Sequence, residues 1–224
     1  MSLLELRGVE ARRGGRLVLR DVNLDVEDHE LLALLGAHGA GKSTLLAAVA
    51  GRQRVAGSIR FEGEDVTRRG DAAMARLGVA LVQQGRGTFE ALSVLDNLRL
   101  GGWLQRGSLD NRYARVFGLF PGLYDRRSRR AGLLTVAEQA QLAVGRAVMA
   151  RPHLLLLDEP SHGLAPAAAR ELIAAVRDLN ASGTTVVVAE QRPGLVLEDA
   201  HRVVVLDRGL VSFAGAAGDA PVPA

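Results

Sequence analysis

The sequence predicts an α/β fold organised around a parallel sheet. Three observations predict it. Leu31 to Leu35 is a continuous apolar run that leads into a glycine-rich segment, Gly36 to Thr44, and then into helix-forming residues. Leu154 to Leu157 is a second such run, ending in Asp158, Glu159 and Pro160. After Pro152, strand-like and helix-like stretches alternate, as in a sheet wound with helices.

The elements follow in order. Leu3 to Val9 and Leu17 to Val26 alternate apolar and polar residues about Gly14 and Gly15, which reads as an antiparallel hairpin. Leu31 to Leu35 suits a strand buried on both faces. Leu45 to Ala50 reads as a helix closed by Gly51, and Val79 to Val82 as a further strand. From about Gly85 to Ala150 the character changes. Leu92, Val94, Leu95 and Leu98 recur at helical spacing, Val116, Leu119 and Phe120 follow, and Arg126, Arg127, Arg129 and Arg130 form a basic cluster. This stretch reads as a mainly helical insertion, within which Trp103 is expected to pack. Leu154 to Leu157 then reads as a strand, Pro166 to Asn180 as a helix and Thr184 to Ala189 as a strand. Val203 to Leu206 and Leu210 to Phe213 read as a closing hairpin. The tail Gly215 to Ala224, rich in Ala, Gly and Pro, is expected to be loose.

Composition excludes several classes of function. A chain of 224 residues fits one large domain, or a core with an inserted subdomain. Apolar residues at 48% and charged residues at 24% are ordinary globular usage, which argues against disorder. The absence of cysteine removes disulfides, cysteine-based zinc sites and thiol nucleophiles. No apolar run approaches the roughly 18 residues of a membrane span. Met1 to Glu10 is charged within five residues and has no apolar signal core, so a cytosolic protein is expected. Lysine and arginine total 28, but Lys42 is the one lysine, leaving 27 arginines against 25 acids and a net charge of +3. A basic balance raises the prospect of nucleic acid, but the acids are interspersed with the bases, and no nucleic-acid partner is expected. The arginine bias fits genome composition. It leaves one lysine to explain.

Gly36, Gly41, Lys42 and Ser43 complete a Walker A phosphate loop, in the strand–loop–helix context that the motif requires. Glycines let successive N–H groups of Gly36, Ala37, His38, Gly39, Ala40, Gly41, Lys42, Ser43 and Thr44 turn toward phosphates, and the helix points its positive end at them. Lys42 would reach the β- and γ-phosphates as a compact point charge, a task to which arginine's planar fork is poorly suited. Ser43 offers a hydroxyl to Mg²⁺. Asp158 and Glu159 stand at the C-terminal end of their strand, the edge at which open parallel sheets bind ligands. Asp158 would hold Mg²⁺, directly or through water, and Glu159 would orient or deprotonate the attacking water. Acids at a strand end are often ordinary loop starts; the upstream phosphate loop favours the functional reading. Gln84 follows a strand and could contact metal and water, or be polar surface. The fold class is therefore a P-loop NTPase (RecA-like) core with an N-terminal antiparallel β subdomain and an inserted helical subdomain. The core is expected at 1–84 and 151–224, and the helical subdomain at 85–150.

These residues resemble the ATP-binding subunit of an ABC transporter, over essentially the whole chain, and specifically the ATPases of branched-chain amino acid importers. Val82-Gln83-Gln84-Gly85-Arg86 is similar to that family's Q-loop, with Gln83 in place of the usual proline. Asp158 to Pro166 is similar to its Walker B and D-loop. Gln191 falls where most members carry a switch histidine, and glutamine there is itself typical of one of the two importer ATPases. The resemblance implies an ATPase with ATP and Mg²⁺, in which Glu159, Lys42 and Gln191 are catalytic and Ser43, Gln84 and Asp158 serve the metal. It implies a head-to-tail pair of ATPase subunits, homodimeric or heterodimeric. Each ATP would lie between one subunit's Walker A and the other's signature loop. It also implies membrane permease subunits met by the helical region, a periplasmic or extracellular substrate-binding protein acting indirectly, and a cytoplasmic position on the inner face of the cell membrane.

Three departures bear on those expectations. The family signature reads Leu-Ser-Gly-Gly-Glu-Gln, and the matching segment is Leu134-Thr135-Val136-Ala137-Glu138-Gln139. Thr135 keeps a hydroxyl and Glu138 the acid, but both glycines are replaced. Glycine there permits close backbone approach to the facing ATP, and Val136 is branched and stiff. The site this loop completes, which belongs to the partner's ATP, is expected to be weakened, unless Thr135 and the helix N-terminus suffice. A regulatory half with weak hydrolysis is the alternative function. The aromatic that stacks on adenine falls at Arg13, whose guanidinium could stack on a base or simply be solvated. His38 stands where the family has asparagine, and with five histidines at no paired spacing a histidine metal site is not expected.

Overall fold

The computed structural model describes residues 2–85, 87–104 and 108–220. Two sheets and a set of helices enclose two hydrophobic clusters. The first two strands, β1 (Ser2–Arg13) and β2 (Arg16–Glu27), form the expected hairpin about Gly14 and Gly15. β1 also pairs antiparallel with β4 (Val55–Phe61), which pairs with the short β5 (Glu64–Asp65). The resulting four-stranded sheet runs in the order β2-β1-β4-β5.

The second sheet has six strands: β3 (Leu31–Leu35), β6 (Val79–Val82), β7 (Leu154–Asp158), β8 (Thr185–Glu190), β9 (Arg202–Asp207) and β10 (Leu210–Ala216). Their order is β10-β9-β3-β8-β7-β6. β9, β3, β8, β7 and β6 are parallel neighbours, and β10 adds an antiparallel edge. Every residue of β3, β7 and β8 is buried, which explains their unbroken apolar runs. Leu31, Ala33 and Leu35 join the cluster under the helices, whereas Leu32 and Leu34 join the cluster under the first sheet. Each fully buried leucine of β7 contributes about 1.5–3 kcal/mol. That burial fixes the strand whose end carries Asp158.

Seven α-helices are present among the described residues: α1 (Lys42–Val49), α2 (Asp71–Arg76), α3 (Val94–Gly101), α4 (Asp110–Leu119), α5 (Pro121–Asp125), α6 (Val136–Met149) and α7 (Pro166–Ala181). Between β6 and β7 the described regular elements are helical, apart from one bridge between Ser93 and Arg130. Local chemistry sets their starts. The Ser93 hydroxyl accepts the Asp96 N–H at 3.0 Å to cap α3. Thr135 and Glu138 form a reciprocal capping box at α6. Pro166 opens α7 at its first turn, where its missing N–H costs nothing.

Two expectations need correction. Trp103 does not pack into the helical layer; it is 80% exposed just beyond α3. The tail is not loose from Gly215, because β10 runs through Ala216 against β9 and Ala217–Asp219 forms a 3-10 turn. Residues 221–224 lie outside the described part. So do Arg86 and the stretch 105–107 of the helical region. β4, β5 and α2 lie in a stretch to which the sequence reading assigned no element.

Candidate active site at the phosphate loop

The loop between β3 and α1 is braced from three sides. A Cβ on Gly36, at φ +152°, would stand 2.4 Å from the Leu206 carbonyl of β9, so no side chain fits there. Gly41, at φ +114°, lies against the Leu19 side chain of β2, 2.9 Å from where a Cβ would be. The Gly209 N–H in the β9–β10 turn donates to the Ala40 carbonyl at 2.9 Å, and the Arg20 N–H donates to the Gly209 carbonyl at 2.8 Å. The first sheet and the closing hairpin thus fix the loop's floor. Ala37, His38 and Gly39 form its exposed rim, while Thr44 is buried behind it.

Lys42 begins α1 and folds back over the loop. It is 3% exposed, and its Nζ donates to the Gly36 carbonyl at 2.8 Å and the Ala37 carbonyl at 3.2 Å. The same Nζ lies 3.3 Å from Glu159 Oε1, in a pair buried on both sides. The Ser43 hydroxyl donates to Asp158 Oδ1 at 3.0 Å. Burial pushes the Asp158 carboxyl up from the usual range. The Ser43 hydrogen bond opposes that shift, the neighbouring Glu159 charge adds to it, and Lys42 opposes it.

Glu159 is the hub. It is 7% exposed, and its backbone adopts φ +49°, a left-handed conformation that costs a non-glycine residue about 1–3 kcal/mol. Its N–H donates to the Ala189 carbonyl of β8 at 2.9 Å. Gln191 Nε2 donates to its Oε1 at 2.6 Å, and Gln84 Nε2 donates to its Oε2 at 3.2 Å. His162 Nδ1 stands 3.9 Å from Oε2. A cavity of about 110 Å³ borders Gln84, Glu159, Pro160 and His162. A water needs roughly 10–15 Å³, so there is room beside this carboxylate for the reactant of a hydrolysis.

The structure therefore joins Lys42, Ser43, Gln84, Asp158, Glu159 and Gln191 into one site. It does not join all of the sequence-derived set. Arg13 is exposed at the end of β1, in the hairpin opposite Arg16. Among the described residues, no hydrogen bond or ion pair links Thr135, Val136, Ala137 or Glu138 to the phosphate loop. Thr135 and Glu138 serve the α6 cap, with the Thr135 N–H donating to Glu138 Oε2 at 2.9 Å. Glu138 Oε1 also takes an ion pair from Arg126 Nε at 2.6 Å, so the basic cluster is tied to this loop. Gln139 Nε2 reaches the Ala131 and Leu134 carbonyls at 3.4 and 3.3 Å. Val136 is 45% exposed at the first turn, and Ala137 packs toward the helical core.

Sequence reasoning assigned no role to Glu190. This acid is 2% exposed at the end of β8, and its Oε1 accepts the Ser161 N–H at 3.1 Å. Burial pushes its carboxyl up, against hydrogen bonds from Ser161 and the charge of Arg192. The signal that singled out Asp158 was present here too: four apolar residues, Val186 to Ala189, ending in an acid.

Comparison with known proteins decides the family. Residues 19–162 match the family described as ABC transporter. This chain belongs to that family. Within it, the chain is an ATP-binding cassette, an ATPase coupled to transport. It is 39% identical over 211 residues to the high-affinity branched-chain amino acid transport ATP-binding protein BraG of Pseudomonas aeruginosa, covering 93% of this chain and 91% of that one. It is 30% identical to BraF of the same organism, a protein of the same description, covering 92% and 89%. A nucleotide-free ATP-binding cassette from an ABC transporter superposes with a TM-score of 0.84 at 25% identity, over 96% of this chain and 92% of that chain. A dimeric cassette bound to ADP and phosphate superposes with a TM-score of 0.85 at 20% identity, over 96% and 98%; that likeness shows the fold.

Proposed function

We propose that this chain is the ATP-hydrolysing subunit of an importer for branched-chain amino acids. The observation that carries the reading is the buried contact of Lys42 with Glu159 at 3.3 Å, where the phosphate loop meets the acidic strand end. The substrate comes from the likeness to BraG and BraF. The ATP-binding core is read at 1–84 and 151–224, and the helical subdomain at 85–150.

The amides of residues 36–44 and Lys42 bind the phosphates, which compete with the Gly36 and Ala37 carbonyls for the ammonium. Glu159 accepts a proton from the attacking water, and Gln191 and Gln84 hold its two oxygens in place. Lys42 then opposes the charge that grows on the transferred phosphoryl oxygens. Ser43 and Asp158 offer hard oxygen donors 3.0 Å apart, a set that fits Mg²⁺, with Gln84 as a third. Held there by Ser43, Asp158 and Gln84, Mg²⁺ would supply positive charge that offsets the charge of the phosphates. Arg13 would stack its guanidinium on the adenine or, equally, stay solvated.

The remaining assignments follow from the family. Two such subunits, identical or paired with a second cassette, sandwich two ATP molecules and move membrane permease subunits fed by an external binding protein. The chain would sit on the cytoplasmic face of the membrane, and among its described residues no helix is long and apolar enough to cross one. A cleft of about 540 Å³ among α2, β6, α3 and α6, with exposed Leu100, Trp103 and Leu104 beside it, suits the permease contact.

A second reading rests on Val136 and Ala137. Exposed Val136 projects a branched side chain where a partner's ATP would approach the N-terminus of α6. The site completed by this loop would then be weak, and the chain would act as a regulatory half that closes on ATP with little hydrolysis. Phosphate release from the purified chain, alone and with an intact partner cassette, separates the two. Glu159→Gln tests both: the variant should retain ATP binding and release phosphate at least about 100-fold more slowly. Wild-type release from that variant would overturn the assignment.

A further inference from the structure

Residues 190–192, at the end of β8, each grip a different group of the turn that carries Glu159. Gln191 donates to the Glu159 carboxylate at 2.6 Å. Glu190 accepts the Ser161 backbone N–H at 3.1 Å. Arg192 Nη2 donates to the Ser161 hydroxyl at 2.8 Å and to the Ser161 carbonyl at 3.0 Å. Ser161 is fully buried. The turn closes itself with the His162 N–H on the Glu159 carbonyl at 3.0 Å and the Leu164 N–H on the Ser161 carbonyl at 3.1 Å.

Two features of this cluster are unfavourable on their own. A carboxylate buried at a sheet end opposes its own desolvation, and an apolar residue would fill that volume better. The left-handed backbone of Glu159 is retained only where neighbours over-determine it. Both make sense together if the buried acid is what holds the turn. Its acceptor oxygen meets a peptide N–H that no strand partner takes, two residues past the strained one.

We propose that Glu190 and Arg192 are positioning residues for ATP hydrolysis. They lock Ser161, and through the short peptide 159–161 they keep the Glu159 carboxylate between Gln191 and Gln84. The inference rests on the reading of Glu159 as the group that prepares the water. Among the described residues, no side-chain hydrogen bond or ion pair joins Glu190 or Arg192 to the phosphate loop, so their loss should leave ATP binding intact.

The test compares the purified 224-residue chain with its Glu190→Ala, Glu190→Gln, Arg192→Ala and Glu159→Gln variants. Phosphate release is measured against ATP concentration, and hydrogen exchange is followed at the amides of 159–164. Glu190→Ala should lower kcat at least about tenfold with KM within about twofold, because a small misplacement of a reacting group is costly to rate. Glu190→Gln keeps an acceptor oxygen and should recover kcat to within about threefold of wild type. Arg192→Ala should lower kcat about 3- to 10-fold at unchanged KM. Exchange at Ser161 should accelerate in Glu190→Ala and not in Glu190→Gln. A kcat near wild type in Glu190→Ala, or a KM that rises in step with the fall in kcat, would overturn the proposal. Should Glu190→Ala fail to fold, the exposed Arg192 decides: unchanged kcat in Arg192→Ala overturns it. If Glu159→Gln turns over like wild type, the reading of Glu159 falls. The exchange measurement then still decides the clamp, with faster exchange in Glu190→Ala supporting it and equal exchange overturning it.

Discussion

Replacing Lys42 by arginine conserves charge and changes shape, in a chain whose 27 other Lys/Arg positions are all arginine. The ammonium is almost wholly enclosed and has three oxygens around it: the Gly36 carbonyl at 2.8 Å, the Ala37 carbonyl at 3.2 Å and Glu159 Oε1 at 3.3 Å. A guanidinium presents its donors in one plane and cannot converge on three oxygens spaced around a point. It is also bulkier, and the floor beneath it is rigid, because Gly36 and Gly41 already abut the Leu206 carbonyl and the Leu19 side chain. Overpacking of this kind costs about 1–3 kcal/mol. For a chain of this size, each kcal/mol moves Tm by about 2–4 °C, so the melting temperature should fall by about 2–12 °C. The larger effect is on turnover. Losing one preorganised donor at a developing charge costs about 2.7–4 kcal/mol, so phosphate release at saturating ATP should fall about 10²–10³-fold. Release within about threefold of wild type, with the protein folded by thermal melt, would refute the argument that a compact charge is required.

Two further outcomes follow from the site. Asp158 and Glu190 are both held above the usual carboxylate range, so the native state binds protons that the unfolded state releases; their stabilising contribution is present at low pH and is lost as pH rises through the folded-state values. Asp158→Asn removes one such group and keeps an acceptor for Ser43. In thermal melts without nucleotide it should lose less stability than wild type between about pH 4 and pH 7, while phosphate release is abolished; a parallel loss in both proteins would contradict the pKa direction. Restoring glycine at the signature, Val136→Gly with Ala137→Gly, should raise the ATPase rate of the homodimer several-fold if close backbone approach is what is missing, at a helix cost of about 1 kcal/mol per glycine; an unchanged rate would count against the weakened-site reading.

Much of the site was legible because its chemistry is local in sequence. A strand, six loop residues and a helix start fix Gly36 to Thr44, and a strand end delivers Asp158 and Glu159 together. Gln84 and Gln191 were found through family resemblance, since a glutamine after a strand has no distinctive pattern. Glu190 was overlooked although it ends an apolar run, because nothing in the sequence says that its partner is an amide 29 residues away. The element missed most completely is β4. Its segment Val-Ala-Gly-Ser-Ile-Arg-Phe alternates poorly, and pairing with β1 on one side and β5 on the other makes it a strand. Trp103 was misplaced for the opposite reason: an aromatic is usually buried, and this one is presented outward next to apolar Leu100 and Leu104.

The alternating burial of β3 has a consequence for how the molecule comes apart. Leu31, Ala33 and Leu35 belong to one cluster and Leu32 and Leu34 to the other, and β7 divides its leucines the same way. The two clusters therefore share a single wall. Peeling away α3 to α7 bares one face of the very strands that α1 and the first sheet cover on the other, so neither layer has a core to retreat to. Melting should be one transition, with the slowest-exchanging amides along β3, β7 and β8. The phosphate loop and Glu159 are rooted in the ends of those strands, so the site sits on the part of the chain that opens last.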